Sequence, residues 1–261
     1  MINMAVLIGA AFLLELGMNP IYAIGDIHGH LDKLDEALER IQNDGGADAT
    51  VVFVGDYVDR GAQSKYVIQR IIDGQASGKN WIALKGNHDR MFELFMQSPP
   101  QHDPQLLLGM DWFNDRIGGI TTLESYGVEI EREISRTFQV HAQAIDCVPA
   151  AHIAFLKSLN TYYLVGETLF VHAGIRPEIP LSAQAETDLL WIRKEFHDYQ
   201  DDHEYLIVHG HTPVKNITHY GNRVNIDGGA AYGRELTPIV IEDAEICALG
   251  REGRVRLYPI K

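Results

Sequence analysis

Two cysteines in 261 residues, far apart and without a partner motif, exclude a disulfide framework and a thiolate metal site. A reduced, cytoplasmic protein is the expectation. Basic charge is also scarce: 22 Lys and Arg face 36 Asp and Glu, a formal charge of −14. Such a surface does not bind nucleic acid by neutralising phosphates, so an anionic ligand must be attracted by local cations. No apolar run is long enough to span a bilayer. The run from Ala5 to Leu14 has no Lys or Arg before it, and Glu15 interrupts its end. Residues 1–20 are therefore expected to be a non-catalytic extension rather than an export signal, with Met18 a second candidate start. No Pro-, Gly- or Ser-rich linker divides the rest, so residues 21–261 are expected to form one domain. Nothing in the sequence indicates oligomeric state or a membrane partner.

What the chain does have is a repeated strand-end pattern. Val51-Val52-Phe53-Val54 is an apolar, mostly β-branched run, ended by Gly55-Asp56-Tyr57-Val58-Asp59-Arg60-Gly61. Ile21 to Ile24 runs into Gly25-Asp26-Ile27-His28-Gly29, and Trp81 to Leu84 into Lys85-Gly86-Asn87-His88-Asp89. Leu31, Leu34, Leu38 and Ile41, then Val67, Ile68, Ile71 and Ile72, mark amphipathic helices between these strands. Strand, helix, strand at roughly 30-residue spacing describes consecutive βαβ units with parallel strands. Later strands are expected at 162–165, 168–171, 205–208, 224–226, 238–241 and 255–258, and one helix over 181–196. His172-Ala173-Gly174 and His209-Gly210-His211-Thr212-Pro213 follow two of these strands. Residues 91–160 break the pattern and are expected to be a helical cap or insertion. It either shapes access to a site or simply covers the core.

Asp26, His28, Asp56, Asn87, His172 and His211 all stand at strand exits, where α/β folds place chemistry. This mixed N/O set suits two divalent ions, Mn²⁺ first, with Fe or Zn also accepted. Two ions about 3.5–4 Å apart need a bridging group. Asp56, on the middle strand, is the expected bridge, with Asp26 and His28 completing one ion and Asn87, His172 and His211 the other. Water activated by the ions would attack a phosphoryl group directly, since no Ser or Cys stands in a nucleophile setting. His88 would protonate the leaving group, Asp59 would orient its ring, and Arg60 would grip phosphate, alongside Asn87.

GDIHG at 25–29, GDYVDRG at 55–61, GNHD at 86–89, HAG at 172–174 and HGHTP at 209–213 together resemble the phosphoprotein phosphatase family of calcineurin-like metallophosphoesterases. The resemblance runs from about Ile21 to Ala230 and is nearest to the bacterial and phage-type serine/threonine phosphatases. It implies an α/β fold, a β-sandwich of mixed sheets flanked by helices, with a dinuclear site at the sheet edge. It implies the same roles for the residues above, and it adds Arg193, in Trp191-Ile192-Arg193, as a second phosphate-binding arginine. The implied substrate is a phosphoprotein or small phosphoester. Symmetrical dinucleoside tetraphosphate hydrolases share GNHD and the metal set, and a catalytically dead scaffold is a further alternative.

Blander readings stand beside these. Arg193 could face solvent, Arg176 could be a turn residue or a substrate contact, and Asp89 could simply cap the helix that His88 begins. His209 is either packed at a strand end or a partner of the ligands.

Overall fold

The computed structural model describes residues 19–45, 48–131, 134–243 and 245–260, so the expected N-terminal extension lies outside them up to Met18. In chain order come β1 (Ile21–Ile24), α1 (Leu31–Gly45), β2 (Thr50–Phe53), α2 (Ser64–Ala76) and β3 (Trp81–Ala83). Four helices follow: α3 (Asn87–Phe95), α4 (Gly119–Ser125), α5 (Thr137–Cys147) and α6 (Ala150–Ser158). Then come the hairpin β4 (Tyr162–Val165) and β5 (Thr168–Val171), and helices α7 (Glu186–Trp191) and α8 (Lys194–His197). Strands β6 (Leu206–His209), β7 (Thr218–His219) and β8 (Arg223–Asn225) lead to β9 (Ile239–Glu242), β10 (Glu245–Gly250) and β11 (Gly253–Arg256).

These strands form two mixed sheets, ordered β11-β10-β9-β1-β2-β3 and β4-β5-β6-β8-β7. The β1, β2 and β3 neighbours are parallel, as the two βαβ units require, and so are β5, β6 and β8. Alternation along each strand separates three apolar layers. Ala23, Val52 and Val54 meet Phe170, Val208, Val224 and Ile226 between the sheets. Tyr22, Ile24, Val51 and Phe53 face the other way, onto α1 and α2. Leu169, Val171 and Ile207 turn outward to Leu189, Ile192 and Phe196 of the α7–α8 region. The result is the mixed α/β sandwich flanked by helices that the sequence led us to expect.

Residues of the 91–160 segment, among them Trp112, Leu123, Tyr126, Val140 and Phe155, belong to the same buried cluster as the α1–α2 face. The segment therefore covers the core of the first sheet. Two expectations need correction. Residues 181–196 do not form one helix: a 3₁₀ turn at Leu181–Ala183 precedes α7, and the chain unwinds at Ile192–Arg193 before α8. The break seats Phe196 directly beneath Gly174, where a Cβ would come within 2.4 Å of the ring. The last strand lies at Gly253–Arg256 rather than 255–258, because it pairs back on β10, a strand the sequence pattern did not reveal.

Candidate metal centre

The carboxyl ends of β1, β2, β3, β5, β6 and β8 meet at one edge of the sandwich, and their exits carry Asp26, His28, Asp56, Asn87, His172, His211 and Asp227. Backbone strain is concentrated there. Of seven non-glycine residues with positive φ among those described, five are His28, Asp56, Asp59, Arg60 and His211, at 48–71°. Gly86 is required for close approach, since a Cβ would come within 2.3 Å of the Asp56 amide nitrogen.

Asp56 lies between two groups of donors. Its Oδ2 is 3.5 Å from His28 Nε2, and its Oδ1 is 3.4 Å from His172 Nε2. Asn87 Oδ1 lies 2.9 Å from His172 Nε2 and 2.8 Å from His211 Nδ1. Asp26 Oδ2 is 3.9 Å from His28 Nε2, and its carboxylate accepts the His211 amide at 3.1 Å. All six side chains are buried.

The hydrogen bonds fix where the lone pairs point. His172 Nδ1 donates to Val54 O at 2.9 Å and His28 Nδ1 to Val58 O at 2.9 Å. In the neutral rings both Nε2 atoms are therefore acceptors. His172 Nε2 then faces oxygens of Asn87 and Asp56 with no proton between them, an arrangement a cation resolves. Electrostatics agree. Burial raises the Asp26 and Asp56 carboxyls well above their ordinary range, and neighbouring carboxylates add to it, Asp227 for Asp26 and Asp89 for Asp56. Burial also keeps His28 and His211 neutral and lowers His172 to about 3. Uncompensated carboxylates beside neutral imidazole lone pairs fit divalent ions. Two overlapping groups have their donor atoms close enough together: His28, Asp56 and His88, and Asp56, His172 and His211.

His88 sits beside this set. Its Nδ1 donates to Asp59 Oδ2 at 2.6 Å, leaving Nε2 toward the site, where Arg60 Nη2 lies at 3.2 Å. Arg60 Nη1 also donates to the His28 Nε2 lone pair at 2.7 Å. Burial, then the Arg60 and Arg193 cations, holds the His88 pKa down, while burial pushes Asp59 up to about 7. Arg193 reaches the same edge because of the helix break: its Nη1 donates to Thr212 Oγ1 at 3.0 Å, and its charge is felt by Asp56 and Asp26. Arg176, by contrast, is held in a bidentate pair with Asp188 on the surface. His209 packs edge-on against Phe196, so strand-end packing accounts for it.

Sequence reasoning passed over three groups. Asp227 stands beside Asp26, and repulsion between the two carboxylates adds to the upward shift at Asp26. Its position after β8, before Gly228-Gly229, repeats the strand-exit pattern and was the available signal. Asp89 does more than cap α3. Its Oδ2 accepts the amides of Gly86 at 2.9 Å and Asp56 at 2.8 Å, and its Oδ1 accepts that of Tyr57 at 2.9 Å. Trp112 and Thr122 hydrogen-bond Asp59, and nothing local in the sequence announces that.

A family model described as calcineurin-like phosphoesterase matches residues 19–236. The chain is 24% identical to an asymmetrical bis(5'-nucleosyl)-tetraphosphatase PrpE of Halalkalibacterium halodurans, across 87% of this chain and 92% of that protein. It is 26% identical to serine/threonine-protein phosphatase 1 of Salmonella typhimurium, across 83% of this chain and 89% of that one. Among solved structures, the cold-active protein-tyrosine phosphatase of a psychrophilic Shewanella species superimposes with a TM-score of 0.58 at 16% identity, covering 93% of this chain and 81% of that chain. No helix among the described residues is long and apolar enough to cross a membrane. With the family model spanning most of its length and every strand-exit signature in place, the chain belongs to the calcineurin-like phosphoesterase family.

Proposed function

We propose that the protein is a metal-dependent phosphomonoesterase of the serine/threonine protein phosphatase type, using two divalent ions, Mn²⁺ first. The observation that carries this reading is Asp56, whose two oxygens face separate donor groups while His88 and Arg60 stand at the same edge. Asp26, His28 and Asp56 would hold one ion, and Asp56, Asn87, His172 and His211 the other. Bound there, the ions supply a nucleophilic water at neutral pH and offset phosphoryl charge.

The chain's own groups do the rest. The two Arg60 Nη donors, here on His28 and His88, would turn to the phosphoryl oxygens, and Arg193 would add a second fork. Burial and then the two arginine cations depress the His88 pKa; a phosphate dianion on both arginines would offset the cationic share and so favour a proton at Nε2. Water attacks phosphorus, the bond to the leaving oxygen breaks, and the His88 proton goes to that oxygen while Asp59 holds Nδ1. The charge of −14 repels a tetraphosphate more than a single phosphoryl dianion, which favours a monoester.

The second reading is hydrolysis of dinucleoside polyphosphates, supported by the name of the Halalkalibacterium relative; that name implies asymmetrical cleavage rather than the symmetrical kind first considered. The Tyr232 ring, 57% exposed and 5.5 Å from the Arg60 guanidinium, would be available to stack on a base. A substrate panel with Mn²⁺ separates the readings. Phosphoserine and phosphothreonine peptides are expected to exceed diadenosine tetraphosphate in kcat/KM. Preference for the dinucleotide would transfer the assignment to the second reading, and no metal-dependent turnover of either would leave a scaffold. His88→Asn is expected to keep its metal and lose activity, least of all on p-nitrophenyl phosphate, whose leaving group needs no proton.

A further inference from the structure

We propose that Trp112 and Thr122, from the segment linking α3 to α4 and from α4 itself, are positioning residues for the Asp59–His88 pair. The segment that covers the core would then also complete the proton-donating half of the centre. The inference rests on the reading of His88 as proton donor.

Asp59 is fully buried, and its carboxylate meets three side-chain donors. Oδ2 takes His88 Nδ1 at 2.6 Å and Trp112 Nε1 at 2.9 Å; Oδ1 takes the Thr122 hydroxyl at 2.7 Å. The same hydroxyl oxygen accepts the Asp59 amide at 2.7 Å, so one threonine grips both ends of the residue. An indole nitrogen can only donate, so the Trp112 contact points one way, onto the carboxylate. Packing alone asks for none of these bonds: a Val would fill the space of Thr122, and a Phe most of that of Trp112. Trp112 is 4% exposed and Thr122 0%, so neither bond is exchanged for water.

Both partners of the pair refer to the same indole. Trp112 stacks on Phe92 at 5.3 Å and 20°, and Phe92 lies on α3, the helix whose first turn carries His88. The segment also holds the residue after Asp59. Arg60 N donates to Gly118 O at 3.3 Å, and a Cβ on Gly118 would come within 2.5 Å of that nitrogen. Gly118 has φ 91°, and Gly119 N donates to Trp112 O at 3.0 Å, closing the loop on itself. Asp59 and Arg60, at φ 71° and 68°, are thus kept in left-handed conformations from the segment's side. A carboxylate with two oxygens pinned cannot rotate, so His88 Nε2 has one direction in which to offer a proton.

The test uses the full chain with Mn²⁺, the variants Trp112→Phe and Thr122→Val, and two substrates, p-nitrophenyl phosphate and phenyl phosphate. Loss of alignment is expected to lower kcat for phenyl phosphate by roughly 10–100-fold and for p-nitrophenyl phosphate by less than about 3-fold, because only the poorer leaving group needs the proton. Metal content should not change. In an Asp59→Asn background, adding Trp112→Phe should cost nothing further. Equal losses on both substrates, or full additivity with Asp59→Asn, would overturn the proposal and leave Trp112 as packing. Thr122→Val keeps the side-chain shape and carries the test if Trp112→Phe does not fold. His88→Asn on the same two substrates separates the layers. If it shows no leaving-group dependence, the proton-donor reading falls and this inference with it. If His88→Asn shows the dependence and neither Trp112→Phe nor Thr122→Val does, the positioning role alone is refuted.

Discussion

Replacing Asp89 should reveal whether it caps a helix or locks the centre. As an N-terminal cap on α3 it would contribute about 1 kcal/mol. The geometry requires more, because its two oxygens receive three buried amides, those of Asp56, Tyr57 and Gly86, at 2.8–2.9 Å. In Asp89→Asn one oxygen survives. Placed at Oδ2 it keeps Asp56 and Gly86, but the new amide hydrogens then face the Tyr57 N–H. The cost is one charge-assisted bond, about 1.5–3 kcal/mol. Asp89→Ala strands all three amides, at about 1–3 kcal/mol each before relaxation, so roughly 3–6 kcal/mol is expected. Urea unfolding of metal-free protein measures this, and calorimetric titration of Mn²⁺ into the same variants measures the rest. Affinity should fall in both, since the backbone of Asp56 and the start of α3 at Asn87 lose their tie. An Asp89→Ala cost of 1 kcal/mol or less, with Mn²⁺ binding unchanged, would refute the reasoning and leave a simple cap.

Arg193→Ala should lower kcat/KM for a phosphomonoester by roughly 10–100-fold, the equivalent of one or two charge-assisted phosphate bonds, with Arg193→Lys recovering only part. Inhibition by inorganic phosphate checks it: an unchanged inhibition constant would make Arg193 a surface residue. His152 yields a pH prediction away from the candidate metal centre. Its Nδ1 accepts the Tyr126 hydroxyl at 2.8 Å and its Nε2 donates to Gln69 at 2.9 Å, and burial lowers its pKa to about 4. The unfolded chain therefore binds more protons between about pH 6.5 and 4, and stability drains as pH falls through that window. The destabilisation caused by His152→Gln should then shrink by about 1–3 kcal/mol between pH 7 and pH 4. A difference that is constant with pH in denaturant titrations would contradict the neutral, enclosed ring.

The strand exits were legible because both halves of the signal are local. A short β-branched run sets the strand, a glycine ends it, and the next residues carry the chemistry. That is why Asp26, His28, Asp56, Asn87, His172 and His211 could be picked out before their convergence was known. Contacts made across the fold left no such trace. Trp112 and Thr122 reach Asp59 from more than fifty positions away, and their own neighbourhoods look like ordinary core helix and turn. Arg193 was identified by resemblance, but its direction depends on the break at Ile192, which the apolar spacing of Leu189, Ile192 and Phe196 disguised as one continuous helix. β10 was missed because Ile246-Cys247-Ala248-Leu249 shows no polar–apolar alternation, although Gly250 and Gly253 bracket its turn to β11. The alternation that divides the two sheets was present in each strand, yet which faces meet between them is a property of the assembled fold.

The central claim is that Asp56 would help to hold both ions, since its two oxygens face separate donor groups. Its most direct test is Mn²⁺ stoichiometry and affinity for the wild-type chain and for Asp56→Asn, measured by calorimetric titration with phosphatase activity followed in parallel. Two Mn²⁺ per wild-type chain, both bound more weakly in the variant and with turnover abolished, is the predicted result. An Asp56→Asn protein that still binds two ions with wild-type affinity and turns over near the wild-type rate would contradict it.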